Sequence, residues 1–226
     1  MASSWRSITL DAQRVVAEFV GAFILAFVAA LTAASAATGA SCGAASPAAA
    51  LAVGATYVAL IFSLAHISRH GLFNPAVTLG SFLAGQLPPF LALTFVGVQA
   101  LGATLGGVIG NAMRADTVLS CNPKNAGAAF AVEAIFTGAL VLVSQNVLLQ
   151  KHANEANSFF GIAVGFVVAA AASVTTPLSG GLFNPALGLA LDFATLSTDP
   201  STFNGARRRA RAGSGRDPAC EATRRS

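Results

Sequence analysis

Polar and apolar positions along this chain are arranged in long apolar blocks separated by short polar connections. The windows 15–35, 48–68, 89–113, 126–149 and 158–177 each supply the ~20 mostly apolar residues that a bilayer-spanning helix needs, so five full spans are predicted. The connections at 36–47, 114–125 and 151–157 are Ala/Ser/Gly-rich or polar and read as loops outside the membrane. Two further apolar stretches, 74–84 and 184–194, are too short to span, and each belongs to a segment opening with the same hexapeptide, Gly-Leu-Phe-Asn-Pro-Ala, at 71–76 and 181–186.

The hexapeptide is part of a larger repeat. Glu18 in the first span is echoed by Glu133 in the fourth, 56 residues before Asn74 and 51 before Asn184 respectively. Each half thus carries an intramembrane acid, a second span and then a short Asn-Pro-Ala segment. Three spans per unit is an odd number, so the second copy must enter from the opposite face, and such inverted repeats place a functional site near the membrane midplane. The expected organisation is an N-terminal cytoplasmic segment at 1–13, a first repeat at 14–113, an incomplete second repeat at 114–194 and a tail at 195–226.

Asn is a favoured helix N-cap and Pro a favoured first helical residue, so Asn74-Pro75-Ala76 and Asn184-Pro185-Ala186 are compact helix starts. A half-helix at membrane depth is tolerated only where it is buried in protein or lines a water-filled cavity. Two such starts facing each other put roughly +0.5 charge apiece at the midplane, which disfavours cations, while the Asn side chains offer donors to a neutral oxygen. Glu18 and Glu133 read as acceptors for exposed N–H groups of the re-entrant loops, the competing reading being acids at helix ends near headgroups.

Composition narrows the classes. Of 226 residues, 54% are hydrophobic and 10% charged, too little polar surface for a water-soluble globule. Seven of the thirteen basic residues (Arg207, Arg208, Arg209, Arg211, Arg216, Arg224, Arg225) sit in the last twenty, so the net +4 is no nucleic-acid signal. Cys42, Cys121 and Cys220 lie far apart and odd in number, which predicts neither a disulfide framework nor a metal site. No phosphate-binding glycine loop and no nucleophile with a base is present, so neither an enzyme nor a cofactor is expected. Arg6, Asp11 and Arg14 precede an apolar run long enough to remain in the bilayer as the first anchor.

Together, Asn74-Pro75-Ala76-Val77-Thr78, Asn184-Pro185-Ala186, the paired Glu18 and Glu133, and Gln99-Ala-Leu-Gly-Ala103 resemble the aquaporin, or major intrinsic protein, family over about 14–194. The resemblance implies an all-α membrane fold with two re-entrant half-helices, a pore within each protomer, passive conduction of water or small uncharged solutes, and a homotetramer. It also suggests that His66 packs against the loop leading to the first half-helix, although a satisfied interfacial histidine fits equally. By the family's pattern the narrowest part of the pore would be built from Gly54, Ala172, Gly181 and Leu187. Most members carry arginine where this chain has Leu187, so a wider, less polar filter is expected, open to glycerol-, urea- or ammonia-sized solutes. Leucine there also resembles the unorthodox, or superaquaporin, branch, some of whose members reside in internal membranes; either the plasma membrane or an intracellular one is open. Gly102, Gly106 and Gly110, and Gly161 with Gly165, form small-residue series suited to close helix crossings.

Residues 195–226 contain no long apolar window, and their Arg/Gly/Ser/Pro content reads as disordered, so no sixth span is expected in this chain. Arg6, Arg14, Arg69 and Lys151 fall on one face, expected to be cytoplasmic, and Arg114 and Lys124 on the other. Five spans would leave the Arg-rich tail on the non-cytoplasmic face, and a frameshift, alternative exon or faulty gene model would account for it. The alternative function is then a truncated, non-conducting member that regulates assembly or trafficking of full-length channels.

Overall fold

The computed structural model describes residues 2–33, 46–69, 71–114, 125–147 and 159–198, with side chains from residue 11 onward. Seven helices follow in order among them: α1 (Ala2–Thr32), α2 (Pro47–Ser68), α3 (Pro75–Leu83), α4 (Pro89–Ala112), α5 (Ala126–Val147), α6 (Phe160–Ser179) and α7 (Pro185–Thr198). Five carry segments of 20 to 24 residues apolar enough to cross a membrane, Asp11–Thr32 within α1 and the whole of α2, α4, α5 and α6. These match the expected windows to within a few residues. Most of the predicted loops, Lys124, Lys151, the three cysteines and the arginines of the tail lie outside the described residues.

Local signals explain the helix ends. Ser46 caps α2, its hydroxyl accepting from Ala49 N at 3.2 Å, with Pro47 at the first helical position. That helix ends on Arg69 in the left-handed region (φ 65°), and α6 ends on Gly180 (φ 100°). One boundary differs from expectation: α7 continues to Thr198, so the segment from 195 begins as helix. Its extension is held from outside, because Leu191, Ala194 and Thr195 turn inward and Asn111 of α4 donates to the Ala194 carbonyl at 2.8 Å.

Missing side chains let the helices close up. At Gly102, Gly106 and Gly110 a Cβ would run into the Phe19, Phe23 and Phe27 carbonyl oxygens, so α4 lies directly against the α1 backbone. Gly54 of α2 and Gly165 of α6 do the same for each other. Arg114, just past α4, donates to the carbonyls of Ala30 and Ala33 at 2.7 Å each and so neutralises the negative end of α1.

Helix α5 is the peripheral one. Only 11% of its span is buried, against 33% to 44% for the other four, and Phe130, Ile135 and Leu142 face outward. Tyr57, Phe73, Phe95 and Phe183 fill the centre, around the ends of α3 and α7.

Candidate functional site

Both half-helix starts are built alike. Asn74 and Asn184 each precede proline, and their Oδ1 atoms accept from the amides two residues on, Ala76 N at 2.8 Å and Ala186 N at 3.0 Å. The other end of each side chain crosses to the opposite loop: Asn74 Nδ2 donates to the Phe183 carbonyl at 2.9 Å, and Asn184 Nδ2 donates to the Phe73 carbonyl at 3.0 Å. This reciprocal pair joins positions 109 and 111 residues apart in sequence and sets the positive ends of α3 and α7 against each other in the protein interior.

The loops before these starts are bent hard. Gly71 and Phe73 have φ of 62° and 50°, and Gly181 and Phe183 have 63° and 48°. Phenylalanine in that region is strained and persists only where its surroundings hold it. Here the carboxylates do so. Glu18 accepts from Leu72 N at 3.0 Å and Phe73 N at 2.7 Å; Glu133 accepts from Leu182 N at 3.2 Å and Phe183 N at 2.9 Å. The Phe73 ring rests where a Cβ on Gly21 would stand, while Phe183 packs at a tilt of 53° against Phe136 with ring centroids 5.6 Å apart.

The two acids differ in their surroundings. Glu18 is fully buried, and its Oε2 also accepts from Gln99 Nε2 at 2.8 Å; the same amide nitrogen lies 2.9 Å from Thr78 Oγ1, whose hydroxyl in turn reaches the Asn74 carbonyl at 2.9 Å. Glu133 is half-buried, with Ser179 Oγ at 2.5 Å as its side-chain donor. Beside it, Phe130, Thr137, Asn184, Pro185 and Gly188 border an open groove of about 420 Å³ between α5 and α7.

Above the Asn pair, Ala172, Gly181 and Leu187 come together with Ala29, Val53 and Leu191 around an apolar cavity of about 20 Å³. A water needs roughly 10–15 Å³ measured this way, so the space admits about one molecule at a time. Gly54 does not line it. Its open side is turned to the Gly165 carbonyl and Ala169, where a Cβ would come within 2.5 and 2.7 Å, and Val53 and Ala50 present α2 to the cavity instead. His66 stands near the end of α2. It is exposed, whereas Ser68, two positions on and buried, accepts from Gly71 N at 2.6 Å.

Several residues that hold the site carried no assigned role in the sequence reading: Tyr57, whose hydroxyl donates to the Leu72 carbonyl at 3.0 Å, Gln99, Ser68 and Ser179. Ser68 and Ser179 stand just before Gly71 and Gly181, a recurrence that marks them as a pair. Among the described residues no cluster of metal-ligating side chains occurs.

The profile of the family described as "Major intrinsic protein" matches residues 4–201. Among similar proteins, "Probable aquaporin NIP7-1" of Arabidopsis thaliana is 31% identical over 143 residues, covering 62% of this chain and 51% of that one. "Probable aquaporin-3" of Gibberella zeae is 34% identical over 142 residues, with 60% and 48% covered. "Glycerol uptake facilitator protein-like 6" of Lactiplantibacillus plantarum is 30% identical over 144 residues, with 60% and 65% covered. The chain spans about half the length of the first two relatives. Among solved structures, the aquaglyceroporin from Plasmodium falciparum superposes with a TM-score of 0.67 at 19% identity, over 83% of this chain and 82% of that one, and so shares its fold. With five apolar spans, two opposed Asn-Pro-Ala half-helices and a profile match over most of its length, this chain is a multi-pass integral membrane protein that belongs to the major intrinsic protein family.

Proposed function

We propose that this chain forms a passive transmembrane channel for water and small uncharged solutes of the glycerol, urea or ammonia class. The observation that carries the reading is the reciprocal bonding of Asn74 and Asn184 at two opposed helix starts. A carboxamide has two N–H donors. One on each Asn is committed across the pair, and the second is the group that a passing oxygen meets. A cation arriving there faces two helix N-termini, each equivalent to roughly +0.5 charge, while Glu18 and Glu133 are engaged by the N–H groups of the loops. Neutral molecules pass and ions are refused.

Leu187, Ala172 and Gly181 set the aperture in this proposal, and Val53 takes the α2 position. Their apolar lining lacks the charged donor that most family members place after the second motif, which favours weakly polar neutral solutes where the side chains part beyond the one-water width of the cavity. Within the proposal the chain assembles as a homotetramer, which covers outward apolar side chains such as Phe90 and Leu93.

Stopped-flow swelling of proteoliposomes under water, glycerol and urea gradients tests the reading. Permeability above that of empty vesicles supports it. Permeability equal to empty vesicles sinks it and leaves a non-conducting regulator of full-length channels as the function.

A further inference from the structure

Gly54 and Gly165 hold matching places in the two repeats, and each faces the other's carbonyl oxygen. Every residue against the apolar cavity on one side of the Asn pair therefore has a counterpart on the other side. Ala29 stands eleven residues after Glu18, and Ser144 eleven after Glu133. Leu187 and Leu191 stand three and seven after Asn184; Val77 and Ser81 stand three and seven after Asn74. Val53 precedes Gly54, and Val164 precedes Gly165. The first set lines the cavity, and Ser144, Val77, Ser81 and Val164, all buried, hold the corresponding positions in the other repeat.

What the repeat does not preserve is the chemistry. Ala29 and Leu191 are replaced by Ser144 and Ser81. Ser144 is 1% exposed, yet its Oγ has no hydrogen-bond partner among the described residues, and neither has the buried Oε1 of Gln145 beside it. Every other buried Ser or Thr described is paired. Thr175 and Thr195 bond back to carbonyls of their own helix at 2.8 Å, Ser81 Oγ donates to Val77 O at 3.0 Å and accepts from Gln145 Nε2 at 3.1 Å, and Ser68, Thr78 and Ser179 brace the loops. Buried polar groups are nearly always satisfied, so an orphan hydroxyl and an orphan carbonyl one residue apart call for a ligand.

Resting on the channel reading above, we infer that Ser144, Gln145 and Ser81 form a polar station in the half-channel opposite Leu187, where a hydroxyl-bearing solute exchanges water hydrogen bonds for protein ones. Ser144 supplies a donor and an acceptor, Gln145 Oε1 a second acceptor, and Ser81 Oγ a remaining lone pair. The pore is then two unlike chambers, an apolar constriction on one side of the Asn pair and a solute-holding one on the other.

Two measurements test this. In proteoliposomes, Ser144→Ala is expected to lower the glycerol-to-water permeability ratio roughly three- to tenfold, as loss of one or two hydrogen bonds implies, with Ser144→Thr restoring it. An unchanged ratio overturns the station. Separately, with Cys42, Cys121 and Cys220 changed to serine, Ser144→Cys is expected to react with a small water-soluble methanethiosulfonate in intact vesicles, while Leu142→Cys, on the outward face of α5, does not. An inert Cys at 144 overturns the inference even if the protein conducts. A reactive one in a protein that passes neither water nor glycerol refutes the channel reading and leaves a water-filled polar chamber at Ser144 standing.

Discussion

Gly54 and Gly165 sit back to back where α2 crosses α6, each occupying the space that the other's Cβ would need. The pair fixes the distance between the two halves and withdraws Gly54 from the cavity wall. Gly54→Ala should therefore destabilise the fold by about 1–3 kcal/mol, the usual range for overpacking, visible as a lower Tm in detergent. Val53→Phe should narrow the cavity and cut water flux with a smaller change in Tm. A Gly54→Ala protein of normal Tm and reduced flux would return that residue to the pore lining.

The two loop-holding acids should respond unequally. Glu18 is buried and accepts three hydrogen bonds, so Glu18→Gln places an NH₂ against N–H donors with no water to relieve it, costing about 1–3 kcal/mol or more. Glu133 borders the open groove, and Glu133→Gln is expected to cost less. Thermal unfolding of both variants in one detergent decides the point; equal losses contradict it.

Leu187→Arg introduces a charged donor into the cavity of about 20 Å³. Its glycerol and urea permeability should fall several-fold further than its water permeability. An unchanged solute-to-water ratio would remove Leu187 from the aperture.

Asn74→Ala and Asn184→Ala each delete a helix cap, worth about 1 kcal/mol, together with one of the two crossing bonds. Because those bonds share the same two loops, the double variant should lose less stability than the two single losses added. Strict additivity in a Tm series would mean that the crossing bonds are energetically independent.

Much of this was legible in the sequence because it is chemically unusual. Asn-Pro-Ala is a helix start that costs too much in lipid to be incidental, and Glu18 and Glu133 are acids inside apolar spans. Helix phase was not legible. In α2 nearly every side is apolar, so the sequence does not say whether Gly54 or Val53 faces the cavity; the contact with Gly165, over a hundred residues away, decides it. The resemblance suggests His66 as the loop's neighbour, whereas the bond to the loop comes from Ser68, which turns inward at the end of α2 while His66 is exposed. Nor is the length of α7 legible, since apolar count alone ignores Asn111, which holds the Ala194 carbonyl from a neighbouring helix.

The strained turn at Phe73 also carries a timetable. Its carbonyl accepts from Asn184, and Asn74 is bonded to Phe183, 109 residues further along the chain. At the ~5–20 residues per second of ribosomal synthesis, that partner emerges about 5–20 s after Asn74 itself. Until then the first half-helix lacks its crossing bonds, and whatever the membrane-insertion machinery offers it in that interval must hold a polar segment that lipid alone will not accept.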